Sequence, residues 1–268
     1  MKAPTERFSD RVENYVRYRP SYPPEILDAL RVHCGLSERS TVADVGSGTG
    51  IFTKLLLQSG CRVFAVEPND EMRHAADQHL SRNSRFHSVS GAAEHTGLDP
   101  GSIDIVTVAQ AFHWFRRNEA RQEFQRILKP AGWIALVWNQ RGTTSPFQSA
   151  YDELLREHVP EYNKVNHRNV KVADIAAFLD PDHYQRLTFE NCQYFNLEAL
   201  KGRMQSSSYT PPPNMPGFAE LMAGLEATFR QYATGGQIAF EYETQLHLGR
   251  LRGDEPGVPN KSESKGQQ

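Results

Sequence analysis

Cysteine is scarce in this chain, and its few cysteines do not suggest pairs. Cys34, Cys61 and Cys192 are odd in number and far apart, so no disulfide framework is implied, and Cys61 opens a strand-like run where a thiol serves as a small apolar filler. Reduced thiols of this kind lead us to expect a cytoplasmic protein. Long apolar runs are missing as well: no stretch approaches the ~18 residues of a membrane span. The first thirty residues are charged and proline-rich, without an apolar signal core, so no membrane partner is expected. An excess of one charge is also absent. A formal net charge of −2 creates no general basic field, which argues against a nucleic-acid partner. Ten histidines occur, but neither Cys-x-x-Cys nor His-Glu-x-x-His accompanies them, so no metal is expected.

What is present centres on Thr41 to Gly50, which reads Thr-Val-Ala-Asp-Val-Gly-Ser-Gly-Thr-Gly. The first five residues have the apolar, β-branched character of a buried strand, and Ile51, Phe52, Leu55 and Leu56 follow at helical spacing. The glycines therefore sit in a strand-to-helix turn, where the main chain bends tightly and a ligand approaches it without meeting a Cβ. No Gly-Lys-Ser/Thr follows them, which argues against a nucleotide phosphate loop. Dinucleotide sites place their third glycine one residue later than this chain does. Cys61 to Val66 is a second strand, ending in Glu67, and 67 − 50 puts that carboxylate 17 residues beyond the last glycine. An acid at the tip of the second strand of a β-α-β unit is placed to accept both ribose hydroxyls.

Taken together, Val42 to Gly50 and Val66-Glu-Pro-Asn69 resemble motif I and its acidic partner in the class I S-adenosylmethionine-dependent methyltransferases of the type 11 group. The more local similarity is to the small-molecule branch that includes trans-aconitate methyltransferase-like proteins. The resemblance implies S-adenosylmethionine as cofactor and S-adenosylhomocysteine as product. Their site would be built from Asp44, Gly46, Ser47, Gly48, Gly50, Glu67 and Pro68. It also implies an α/β fold: a Rossmann-like, seven-stranded, mostly parallel sheet with an antiparallel last strand, helices on both faces and a helical substrate cap. In this family a leader with tyrosines and an Arg-Pro-x-Tyr-Pro element closes over the cofactor, which implies roles for Tyr18 and Arg19, the latter pairing with the methionine carboxylate. Ala93 and Glu94 would lie beside the adenine; many relatives carry an aspartate where this chain has Ala92.

Ile103 to Ala109 is the clearest buried strand and runs into Gln110-Ala-Phe-His-Trp-Phe115, at the end of a central strand where cofactor and substrate should meet. Gln110 is assigned to the cofactor. Phe112 and Phe115 read as packing, whereas His113 and Trp114 belong to a phrase shared with the small-molecule branch, in which relatives often continue with an aspartate in place of Arg116. His113 is the candidate catalytic residue, as a base or as a binding group. Asn118 begins a helix through Leu128, and Gly132 to Trp138 is a fifth strand ending at Asn139. Asn139, Ser207 and Tyr209 join His113 and Trp114 as substrate candidates, and Arg116, Arg141 and Arg168 are candidates to hold an anion.

The strand-helix alternation predicts parallel strands with right-handed crossovers. The division expected is a leader and helix over 1–35, a cofactor core over 36–140, a cap over 141–183, C-terminal strands and helices over 184–250, and a disordered tail over 251–268. Methyl transfer to a small molecule, at a carboxylate or hydroxyl oxygen, is the leading reading, by a monomer or homodimer. A nicotinamide-dependent oxidoreductase and a non-catalytic cofactor-binding regulator are the alternatives.

Overall fold

A computed structural model describes residues 12–159, 162, 175, 177–207 and 209–251. Phe8, Asn163, Asn166, His167, Arg168 and the 252–268 tail fall outside the described residues. Seven strands form one sheet: β1 (Thr41–Val45), β2 (Arg62–Val66), β3 (Phe86–Val89), β4 (Ile103–Ala109), β5 (Leu128–Arg141), β6 (Gln185–Phe195) and β7 (Ile238–Gly249). Their order is β3-β2-β1-β4-β5-β7-β6. The first five pair in parallel, and β7 runs antiparallel to both β5 and β6. The strand order reverses between β1 and β4, and ligands bind above such a switch point.

Helices α1 (Val12–Tyr18), α2 (Glu25–Cys34), α3 (Ile51–Leu57), α4 (Asp70–Leu80) and α5 (Arg117–Ile127) belong to the first half, and α6 (Pro146–His158), α7 (Leu197–Gln205) and α8 (Phe218–Tyr232) to the second. Their starts are chemical: Asn69 caps α4 by accepting from the Met72 N–H, Ser145 caps α6 ahead of Pro146, and Asn196 caps α7. One boundary differs from expectation. Helix α5 stops at Ile127 and Leu128 already pairs with Ile103, because Pro130 forces the residue before it out of helical geometry and the chain extends early.

Alternation along the strands sorts side chains to the two faces. Ile105 and Val137 pack with Ile26, Leu30, Phe52 and Leu56, whereas Val106, Leu136 and Trp138 pack with Phe124, Ile127 and Phe178. A third cluster joins α6, α7 and α8 through Leu155, Leu200, Met204, Leu221 and Leu225 to Ile238, Phe240 and Tyr242. Strand β7 thus serves two cores, its first half under these three helices and its second half, through Leu246 and Leu248, in the main sheet core.

Helix α1 lies across α7, and Gly202 permits the approach: a Cβ there would fall 2.1 Å from the Tyr18 ring. Side-chain amides tie the following residues down. Asn139 and Asn191 both donate to the Ser21 carbonyl, at 3.1 and 2.8 Å, and Gln193 donates to that of Arg19. Substituting Gly202→Ala should therefore lift α1, at a cost of about 1–3 kcal/mol for the overpacked contact. Trypsin cleavage after Arg17 should accelerate; cleavage at the wild-type rate would show that this contact does not hold the leader.

Candidate functional site

Three glycines make the turn after β1, and each has a different neighbour. At Gly46 a Cβ would stand 2.5 Å from that of Ala111, and at Gly50 it would strike Leu80 at 2.6 Å, so both are demanded by packing. Gly48, at φ +57°, faces open space with nothing within 4 Å. Its N–H donates to Glu67 Oε2 at 2.9 Å, while Glu67 Oε1 accepts from the Asn69 N–H at 3.0 Å. Burial raises the Glu67 carboxyl, and these two N–H donors oppose that rise.

Asp44 does a different job from the one the sequence suggested. It is fully buried and outside the cavity, accepting from Thr53 Oγ1 at 2.6 Å and Thr107 Oγ1 at 3.0 Å, so it clamps β1, α3 and β4 beneath the glycine turn. Burial pushes its carboxyl up to about 6.

Above the switch point lies a cavity with an internal volume of about 310 Å³, the size of a small-molecule site. Its walls bring one group, Gly46, Gly48, Glu67, Pro68, Asn69, Ala93 and Glu94, together with Gln110, His113 and Trp114 and with a second group, Arg19, Asn139, Arg141, Arg203, Tyr209 and Tyr242. Most of the predicted site thus meets in one space. Tyr18, Ser47, Gly50 and Ser207 do not line it. Tyr18 is turned onto Gly202, and Tyr15 lines the cavity from the leader instead. Ser47 gives its N–H to the Val66 carbonyl, and Ser207 Oγ accepts from Arg203 Nη1 at 3.1 Å.

Arg116 is also placed elsewhere: its side chain is 70% exposed, beside Glu94 and Glu119. Its N–H nevertheless donates to Glu94 Oε1 at 2.7 Å and fixes that carboxylate. Asn139 lines the cavity with its amide engaged. Its oxygen accepts from Thr244 Oγ1 at 2.5 Å and from Asn191, and its nitrogen donates to Ser21, so it positions the leader.

Gln110 follows β4 at φ +58°, a strained conformation for a non-glycine residue, with Nε2 donating to the Asn139 carbonyl at 3.1 Å. Next to it His113 tilts against Trp114, with ring centroids 4.6 Å apart, and its buried Nδ1 meets no protein partner. Burial pulls the imidazole down to about 4, so it is neutral at pH 7.

The sequence reading missed Arg203, Tyr242, Tyr162 and Tyr15. Arg203 carries a visible signal, since it lies three residues after Leu200 and beside Met204 on the buried stripe of α7, where a charge is costly. Arg141 joins Asp152 and Tyr162 in a buried cluster that ties β5 to α6, and Tyr162 donates to Asp152 at 2.6 Å.

The comparisons with known proteins agree with this geometry. A family profile for a methyltransferase domain matches residues 43–136. An uncharacterized methyltransferase of Mycobacterium tuberculosis is 40% identical over 242 residues, spanning 88% of this chain and 92% of its own. The chain belongs to the class I S-adenosylmethionine-dependent methyltransferases, type 11 group. An uncharacterized methyltransferase of Schizosaccharomyces pombe is 32% identical, covering 75% of this chain and 78% of its own. Among solved structures, one assigned as a type II methyltransferase from Anaeromyxobacter dehalogenans superposes with a TM-score of 0.66 at 22% identity, over 87% of this chain and 98% of that one, and shares the fold. The nicotinamide reading is set aside.

The residues of this methyltransferase fit the family's cofactor. Open space over Gly48, a buried carboxylate at the β2 tip and the small Ala93 beside Glu94 share one cavity wall.

The state of His113 has a pH consequence. The unfolded chain protonates it near 6.5 and the folded state near 4, so its share of stability is complete above about 6.5 and is lost as pH falls toward 4. The His113 Cε1–H resonance should stay flat from pH 8 to about 5 and move only near pH 4. A midpoint near 6.5 would refute the buried, neutral assignment.

Proposed function

We propose that this methyltransferase transfers its methyl group to an oxygen of a small molecule, with a carboxylate favoured over a hydroxyl. The observation that carries the reading is the neutral, desolvated His113 in the cavity wall, whose buried Nδ1 meets no protein partner. A base held so far below pH 7 is a poor proton acceptor for a hydroxyl. A carboxylate has no proton to give up, and His113 then serves as a hydrogen-bonding wall. An amine is disfavoured because it arrives as a cation at a wall lined by Arg19, Arg141 and Arg203. Asp152, the carboxylate beside Arg141, is itself covered by Arg141, Tyr162 and Arg156.

S-adenosylmethionine, when bound, supplies an electrophilic methyl carbon on a sulfonium. The chain contributes placement. Glu67 would hold the ribose with the acceptor capacity left beyond its two N–H donors, Ala93 and Glu94 would flank the adenine, and Arg19 would meet the methionine carboxylate. Trp114 and His113 would align the acceptor for in-line displacement. The leader, tied down at Ser21 and Arg19, would exclude water.

Calorimetry with S-adenosylhomocysteine, followed by a tritiated-methyl screen of small carboxylic acids, phenols and amines, tests this reading. Binding should weaken by about 1.5–3 kcal/mol in Glu67→Ala, the loss of hydrogen bonds to a charged acceptor, and Gly48→Val should block approach. Label found only on amines would reject the oxygen assignment, and absence of S-adenosylhomocysteine binding would reject the site.

A further inference from the structure

Strand β6 is the last strand on its side of the sheet, and its outer edge is open. Among the described residues, no backbone-to-backbone hydrogen bond outside the β6–β7 ladder involves Gln185 to Phe195. The strand at the opposite margin, β3, has 4 residues, whereas β6 has 11. Unpaired N–H and C=O groups along a long edge invite another strand, and proteins blunt such edges with proline, lysine, a bulge or a covering element. Strand β6 holds neither proline nor lysine, and its register with β7 runs unbroken from Gln185 to Phe195. Arg186, Thr188, Glu190, Cys192 and Tyr194 on one of its faces are all exposed.

The order of residues along this edge is self-complementary. In Arg186-Leu-Thr-Phe-Glu190, opposite charges stand two residues to either side of Thr188, and apolar side chains stand one residue to either side. A second copy, antiparallel about a two-fold axis at Thr188, would set Arg186 opposite Glu190 twice on one face of the joined sheet. On the other face Leu187 would meet Phe189 twice. Both apolar residues are half-buried at the margin of the main core, which such a contact would extend.

Charge selects this register. Glu190 lies directly across from Glu243 of β7, a destabilising like-charge pair, and among the described residues it forms no ion pair. Arg186, 3.4 Å from Glu243, is the cation that a second copy would bring to Glu190. An axis moved two residues along, to Glu190, would press two carboxylates together.

We propose that the β6 edge is the interface of a homodimer, in which two copies join antiparallel about Thr188 into one continuous sheet. A contact that uses the same patch on both copies closes at two and leaves no β6 edge for a third. Asn191 and Gln193 of the same strand hold the leader at Ser21 and Arg19, so the seam runs beside the leader of each copy. This assembly is independent of which acceptor is methylated.

The test is sedimentation velocity of the full chain in reducing buffer, from low to high micromolar concentration. The wild type should reach twice the mass of the chain and go no further. Glu190→Arg and Arg186→Glu should each weaken the dimer tenfold or more with far-ultraviolet circular dichroism unchanged, because each sets like charges opposite one another. Mixed together, the two variants should recover a dimer, since each supplies the charge that the other has lost. Should either variant fail to fold, Thr188→Cys in a Cys192→Ser background decides. A dimer cross-linked through position 188 on mild oxidation supports the register, and a chain that stays uncross-linked overturns it. The proposal is also overturned by a wild type that stays monomeric, its edge bare or taken by another segment of the chain. A dimer unmoved by both charge variants, a mixture that recovers none, or assemblies larger than two overturn it equally.

Discussion

The hydrogen bond from the Gly48 N–H to Glu67 holds the glycine turn against the tip of β2, and the site is arranged around it. A side chain at Gly48 would occupy the open side of the turn, and without the acid the turn would keep only the bonds from the Gly46 and Ser47 N–H groups to the Val66 carbonyl. Beneath it, the buried Asp44 fastens three elements through two threonine hydroxyls. Two carboxyls, both raised by burial, therefore stand under and beside one backbone turn. This gathers carboxyl oxygens at and beneath one wall of the cavity.

A second group of wall residues has the reverse character. Arg19, Arg141 and Arg203 lie there among tyrosines, and β5, β7, α7 and the leader each contribute to that wall. The neutral His113 and Trp114 line the same cavity, and an uncharged imidazole adds no further cation to these three. The polarity of the cavity thus sets which end of a bound molecule faces which wall.

The cofactor half was legible in the sequence because its signals are local. Thr41 to Gly50 and Arg62 to Glu67 encode strand, turn and acid in a short span, and the parallel pairing of β1 with β2 brings Val45 opposite Val66. Asp44 was legible as special but misread in role, since its threonine partners Thr53 and Thr107 lie on other elements. The arginine-rich wall was legible in part: Arg19, Asn139, Arg141 and Tyr209 stood out, whereas Arg203 and Tyr242 did not. Arg19 reaches the Ser206 carbonyl across 187 residues and Arg203 reaches Tyr242 across 39, separations that no local pattern carries. Tyr18 and Tyr15 illustrate the same limit, because which tyrosine turns inward depends on the missing side chain at Gly202.

Strand β7 belongs to two packing clusters at once, and that sharing constrains how such a protein can diversify. Ile238, Phe240 and Tyr242 support the acceptor wall, while Leu246 and Leu248 of the same strand complete the central core. A chimera that exchanged the three overlying helices as a cassette would leave their floor behind, and one that took the floor would carry part of the foundation with it. New acceptor preferences in this architecture are therefore reached by point changes on a common floor more readily than by recombination of blocks.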